Sequence, residues 1–281
     1  MRVIDFRLRP PSGGFLNMVM YADLDRSARM AANLGMRLSP SATRASMALL
    51  LQEMDAAHVV AGVVPGRGSP VLGTVSNGDI ADLVRRHPGR FIGFAGADPT
   101  VWRQAIEQIE TGLAQGLKGV VLEPGLLAHP MHLDDARLYP VYAYCEDKRL
   151  PVLLMAGGNA GPDCTYSAAE HIDRVARDFP DLSLISGHGN WPWAAQILHV
   201  CYRRPNIYLS PDMYIHRGMP GAQDYVNAAN GFMADRFLFA SAYPVMPLAE
   251  SIDRFLALGI HESVADRVLY RNAATLLGLE T

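Results

Sequence analysis

Arg7 and Arg9 follow the first apolar run of the chain, Val3-Ile4-Asp5-Phe6. Side chains alternate on a strand, so a spacing of two puts both guanidinium groups on one face, inward beside Asp5. Two guanidinium groups inside the mouth of a fold need counter-charge. Asp5, Glu123 or Asp212 supplies it, or a bound carboxylate or phosphate does so through bidentate contacts. The first case is an internal network of arginines and carboxylates. The second, which is favoured, is a site for a small anionic or carboxylated molecule.

Further candidates follow later apolar runs. His188 comes just after Leu182-Ser183-Leu184-Ile185-Ser186. A lone histidine is more often structural. Beside two cations its proton affinity falls, however, and a neutral imidazole is a general base. Glu123, in Leu122-Glu123-Pro124-Gly125, is either a general acid or base or the partner of an arginine, and the second is favoured. Asp212 lies in Ser210-Pro211-Asp212-Met213-Tyr214-Ile215-His216 and is a third candidate for catalysis. Tyr214 and His216 beside it, and Tyr243 further on, are candidates for substrate contact. His129 and His132 give only a weak metal spacing. Trp191 and Trp193 read as packing at a helix start.

The elements that position these residues are legible as a series. Apolar or β-branched runs recur at 3–6, 59–64, 91–95, 119–122, 151–155, 182–186, 206–209 and 237–240. Several are continuous, as strands buried on both faces are. Helical spacing lies between them: Ile106, Ile109 and Leu113; Ile172, Val175, Ala176 and Phe179; Ile252, Phe255 and Leu256. Strands alternating with helices give parallel βαβ units. No GxGxxG follows the first strand, and a barrel takes about 250 residues, so 281 residues predict one α/β domain over 1–281, a (β/α)₈ TIM barrel. Residues 10–43 form a long connection after the first strand, which predicts a lid, an oligomer contact or an ordered surface excursion.

Composition excludes several classes. A net charge of -3 carries no basic field for nucleic acid. No run of about 18 apolar residues is present, so no membrane span is expected. The three cysteines, Cys145, Cys164 and Cys201, form no CxxC pair, which fits a reducing compartment. MRVIDFRLRPP has no apolar core of a signal peptide. The expectation is a cytoplasmic homo-oligomer.

Four strand ends together resemble the amidohydrolase-related family, in the branch of aminocarboxymuconate semialdehyde decarboxylase and several lactonases. Val3-Ile4-Asp5-Phe6-Arg7-Leu8-Arg9-Pro10 is similar to V-I-D-x-H-x-H-x-P. Leu150-Pro151-Val152-Leu153-Leu154-Met155-Ala156-Gly157 is similar to L-P-V-x-x-H-x-G. Phe179-Pro180-Asp181-Leu182 through Gly187-His188-Gly189 is similar to F-P-x-L and G-H-x-G. Arg236-Phe237-Leu238-Phe239-Ala240-Ser241-Ala242-Tyr243-Pro244 is similar to R-x-L-F-G-S-D-Y-P. The tail from Val268 to Leu279 resembles the family's closing helix.

The resemblance implies a divalent metal such as zinc, held by residues that here are Arg7, Arg9, Met155, His188 and Ala242. Only His188 keeps a ligand. Arginine has no lone pair to donate, alanine has no donor, and a thioether is a poor zinc ligand. The expectation is therefore no metal cofactor, with Met155 as a substrate contact. The function expected is a metal-independent hydrolase of lactonase type, or an isomerase, on a small carboxylated substrate. The alternatives are a decarboxylase or related carbon–carbon lyase, and a barrel that binds an anion without catalysis.

Overall fold

A computed structural model describes residues 1–69, 72–216 and 218–279. Its strands in chain order are β1 (Val3–Asp5), β2 (Val59–Pro65), β3 (Arg67–Ser69), β4 (Gly73–Val75), β5 (Phe91–Gly96), β6 (Gly119–Leu122), β7 (Val152–Met155), β8 (Leu184–Gly187) and β9 (Ile207–Ser210). Seven of them form one parallel sheet in the order β1-β2-β5-β6-β7-β8-β9. The eighth expected strand, 237–240, is present as an irregular segment that closes the ring. Leu238 N–H donates to the Leu209 carbonyl and Phe6 N–H donates to the Phe239 carbonyl, both at 2.9 Å. The hairpin β3–β4 is an addition that the hydrophobic pattern did not announce, because its strands carry Arg, Gly, Ser and Thr.

Alternation along the strands sorts side chains into two layers. Phe94, Val121, Leu153, Ile185 and Leu238 fill the barrel interior. Val120, Leu154, Leu184 and Leu209 face the surrounding helices. Both faces are apolar, which is why the runs read as continuous. Ile109 and the face carrying Ile172, Val175 and Ala176 are buried on helices Trp102–Ala114 and Ala169–Asp178, as their spacing predicts.

The phase of β1 differs from the expected one. Ile4 and Phe6, not Asp5, pack in the interior. The strand ends at Asp5, whose carboxylate accepts the Arg7 N–H at 3.0 Å and the Ser241 N–H at 3.0 Å. That turn shifts the alternation by one, so Arg7 and Arg9 point inward while Leu8 joins the outer layer. Gly62 on β2 makes room for it: a Cβ there would stand 2.0 Å from Leu8 Cδ1. Gly62→Ala is therefore expected to cost about 1–3 kcal/mol as overpacking. Chemical denaturation checks this, and an unchanged midpoint would mean that Leu8 moves without resistance.

Residues 10–43 are ordered. They comprise a 3₁₀ turn Gly13–Asn17 and helices Val19–Ala22, Leu24–Asn33 and Pro40–Thr43. Asp23 caps the second of these helices by accepting the Arg26 N–H at 2.8 Å, and Ser39 caps the third, with Pro40 in its first turn. Among the described residues, no helix is long and apolar enough to cross a membrane.

Candidate active site

The C-terminal strand ends converge on one cavity, as this architecture demands. It has a volume of about 140 Å³, close to the roughly 150 Å³ that holds a single benzene ring. Arg7, Arg9, Glu123, Met155, His188 and Tyr214 all line it. Asp212 lies behind them, fully buried. Met20, Met30 and Met213 add apolar wall, so the excursion after β1 supplies part of the enclosure.

Arg7, His188 and Asp212 form one buried cluster. A terminal nitrogen of Arg7 pairs with Asp212 Oδ2 and lies 2.7 Å from His188 Nδ1. Asp212 Oδ2 is 2.9 Å from the same imidazole nitrogen, and Asp212 Oδ1 accepts the Met213 N–H at 2.6 Å. His188 Nδ1 is thus committed to protein groups, and Nε2 is the ring nitrogen left for a ligand. His188, Asp212 and Ala242 all have left-handed backbones, with φ of 63°, 44° and 55°. For residues other than glycine this costs on the order of 1–3 kcal/mol each, and such strain gathers where a site is being shaped.

A second pair sits opposite. Arg67, the first residue of β3, makes a two-point contact with Glu123, with its Nε donating at 2.5 Å. Glu123 is therefore the partner of an arginine. Arg67 itself was missed in the sequence. Its signal was parity: Ala61, Val63, Pro65 and Arg67 fall on one face by twos, beyond the point where the apolar run stops.

Arg9 is the exception. It is 4% exposed, yet its guanidinium makes no hydrogen bond or ion pair among the described residues. Four arginines line the cavity, Arg7, Arg9, Arg26 and Arg67; Arg26 is exposed, and of the three buried ones Arg7 pairs with Asp212 and Arg67 with Glu123. Of the internal network that the sequence posed against an anion site, the arrangement contains two pairs, Arg7–Asp212 and Arg67–Glu123, and leaves one buried cation, Arg9, without an ion pair among the described residues. Arg7 Nε is also buried without a partner among the described residues.

Burial, then the charge of Arg7, pushes the His188 imidazole down to about 4, against a smaller contrary pull from Asp212. Burial works against ionisation of Asp212, but the imidazole and guanidinium beside it outweigh this and hold it down to about 2. Burial likewise opposes ionisation of Glu123, and Arg67 overcomes it and keeps the carboxyl below its ordinary value. Burial, and then Arg7 and Arg67, drive the proton affinity of Arg9 well below the arginine norm. Asp5 is pushed up to about 6 by burial, against hydrogen bonds from Ser241 and Arg7.

His188 is thus neutral at physiological pH. An unfolded histidine titrates near 6.5, so the unfolded chain binds the extra proton first. The stability contributed by this group is complete above that pH and declines as pH falls from about 6.5 towards 4. A ring-proton NMR titration is expected to give a midpoint near 4. A midpoint near 6.5 would show an ordinary, solvated imidazole.

Two expected contacts lie elsewhere. Tyr243 is fully buried, with its hydroxyl 2.8 Å from Ser41 Oγ. His216 is buried beside Phe237 and Phe255, behind Asp212. Neither lines the cavity: Tyr243 follows the left-handed residue Ala242, and His216 follows the 3₁₀ turn Asp212–Ile215. Trp191 stacks on Tyr214 at 4.8 Å, which holds that tyrosine at the cavity wall. His132 stacks between Tyr166 and His171 at 4.3 and 4.2 Å.

The residues present do not fit a divalent metal. The positions that the family resemblance would assign to ligands hold two guanidinium groups, a thioether, a methyl group and one imidazole. A cation at His188 would also face the Arg7 guanidinium, 2.7 Å from that ring.

A barrel with its polar groups at the strand ends is the architecture of amidohydrolases. The amidohydrolase family model matches residues 11–279, and the chain belongs to that family. An uncharacterised TIM-barrel protein from Bordetella bronchiseptica is 49% identical, with a TM-score of 0.96 and 99% of each chain covered. A 2,6-dihydroxybenzoate decarboxylase from Rhizobium shares the fold at 16% identity, TM-score 0.74, over 99% of each chain. A dihydroxybenzoic acid decarboxylase from Polaromonas, with bound manganese and 2-nitroresorcinol, does so at 17% identity and TM-score 0.71, over 99% of this chain and 97% of that one. No curated protein matches.

Proposed function

We propose that this protein is a metal-independent hydrolase of lactonase type, or an isomerase, acting on a small carboxylate with an apolar body. The observation that carries this reading is the buried Arg9 guanidinium, which has no hydrogen-bond or ion-pair partner among the described residues, at a cavity of single-ring size. Arg9 binds the carboxylate as a handle. The Arg7 guanidinium, at the cavity wall, polarises the reacting carbonyl. In hydrolysis, His188 Nε2 takes a proton from water as its oxygen attacks that carbonyl. It returns the proton to the alkoxide as the ring C–O bond breaks. Asp212 orients the imidazole and offsets the charge it acquires.

A second reading is decarboxylation, favoured by the fold shared with the two decarboxylases. Charge logic argues against it here. As carbon dioxide leaves, negative charge departs from the carboxylate, so a guanidinium clamped on that group stabilises the substrate more than the transition state. Chelator-treated enzyme is the test, assayed against carboxylated lactones for ring opening and against hydroxybenzoates for carbon dioxide release. Ring opening that survives chelation and falls at least a hundredfold in His188→Ala supports hydrolysis. Carbon dioxide release restored by zinc or manganese would replace it with the second reading, and binding without turnover would leave an anion-binding barrel.

A further inference from the structure

The excursion over the cavity is held by a buried chain of hydroxyls. Tyr21 donates its O–H to the Arg9 carbonyl at 2.6 Å. Ser41 Oγ contacts Tyr243 Oη at 2.8 Å and Ser39 Oγ at 2.9 Å, and bonds the Glu53 carboxylate. The Ser41 N–H also donates to Glu53 Oε1 at 2.9 Å. Tyr243 lies beside Tyr21 as well. On its other side, the Arg9 N–H donates to the Tyr243 carbonyl at 3.2 Å. The Arg9 peptide is therefore gripped from the barrel by Tyr243 and from the excursion by Tyr21. No group among the described residues bonds its guanidinium, so the aim of that cation depends on its backbone. Tyr21 flanks Val19 and Met20, which line the same cavity.

We propose that Tyr21 is a positioning residue for Arg9, one that ties closure of the 10–43 excursion to the aim of the anion-binding guanidinium. The proposal rests on the carboxylate reading of Arg9. Coupling of this kind is reciprocal: an anion on Arg9 tightens the excursion, and a loosened excursion weakens the anion. Tyr21→Phe keeps the ring and removes the hydroxyl, with its bond to the Arg9 carbonyl and its contact with Tyr243.

Hydrogen exchange by mass spectrometry on the full chain, with benzoate as the probe, tests it. Without ligand, Tyr21→Phe should exchange faster than wild type over both residues 7–10 and 19–33. Benzoate should slow exchange over 19–33 in wild type and not in Tyr21→Phe, whose benzoate Kd rises about tenfold, the scale of one lost hydrogen bond. Ser41→Ala frees the excursion at its far anchor and should weaken benzoate several-fold, which serves if Tyr21→Phe does not fold. Unchanged exchange at 7–10, or equal benzoate protection in both proteins, overturns the proposal, as does an unchanged Kd in Ser41→Ala. Failure of benzoate to bind wild type would instead sink the carboxylate reading, and the ligand-free comparison would still decide whether Tyr21 holds Arg9.

Discussion

Arg9→Met is expected to melt several degrees above the wild type and to bind carboxylates at least a hundredfold more weakly. The two effects share one cause. Arg9 is nearly buried, has no carboxylate partner among the described residues, and stands near Arg7 and Arg67. A buried, unpaired cation costs stability, and replacing it with an apolar side chain of similar length recovers on the order of 1–4 kcal/mol. In a chain of this size that is roughly 2–4 °C per kcal/mol. The same side chain supplies the charge-assisted contacts to a bound carboxylate, worth about 1.5–3 kcal/mol each. Losing two of them gives the hundredfold loss. Paired melts and titrations check this. A variant that melts lower would show that Arg9 is internally satisfied.

Asp212→Ala should behave in the opposite way, at a site joined to the same cavity. Asp212 carries the ion pair with Arg7, the contact with His188 and the Met213 N–H. Its removal leaves Arg7 buried without counter-charge and frees the imidazole to turn. The expected loss is about 3–5 kcal/mol of stability, typical of breaking a buried pair from one side. Any turnover should fall at least as far as in His188→Ala, since both the orientation and the charge of that ring depend on this carboxylate. Denaturant midpoints measure the first effect, and a loss below 1 kcal/mol would mean that Arg7 finds another acceptor. Opposite responses from neighbouring arginine environments separate a cation paired inside the fold from one without an ion pair among the described residues.

Most of this arrangement is legible in the amino-acid sequence. The barrel announced itself because parallel strands buried on both faces keep continuous apolar runs, and Val120 through Leu122 or Val152 through Met155 do so. Strand ends then pointed to Arg7, Arg9, Glu123, His188 and Asp212, because position along a barrel strand fixes which side chains reach the mouth. What escaped was local backbone geometry. The turn at Asp5 reverses the phase of the first strand, so Asp5 faces Ser241 rather than the cavity. The 3₁₀ turn Asp212–Ile215 keeps Met213 and Tyr214 at the mouth and leaves His216 behind it, and the left-handed residue Ala242 precedes a Tyr243 that is buried away from it. Arg67 was hidden by Pro65 and Gly66, which read as the end of a strand whose parity in fact continues. The eighth segment was found by its apolar run, while its sparse pairing depends on ring closure, which no single segment encodes.

Calorimetric titration of benzoate into chelator-treated protein, run on wild type and on Arg9→Met at two salt concentrations, decides whether Arg9 holds a carboxylate without metal. One-site binding without added metal, weakened by salt and abolished in Arg9→Met, is the predicted result. Binding that appears only with zinc or manganese, or that survives Arg9→Met unchanged, would contradict it.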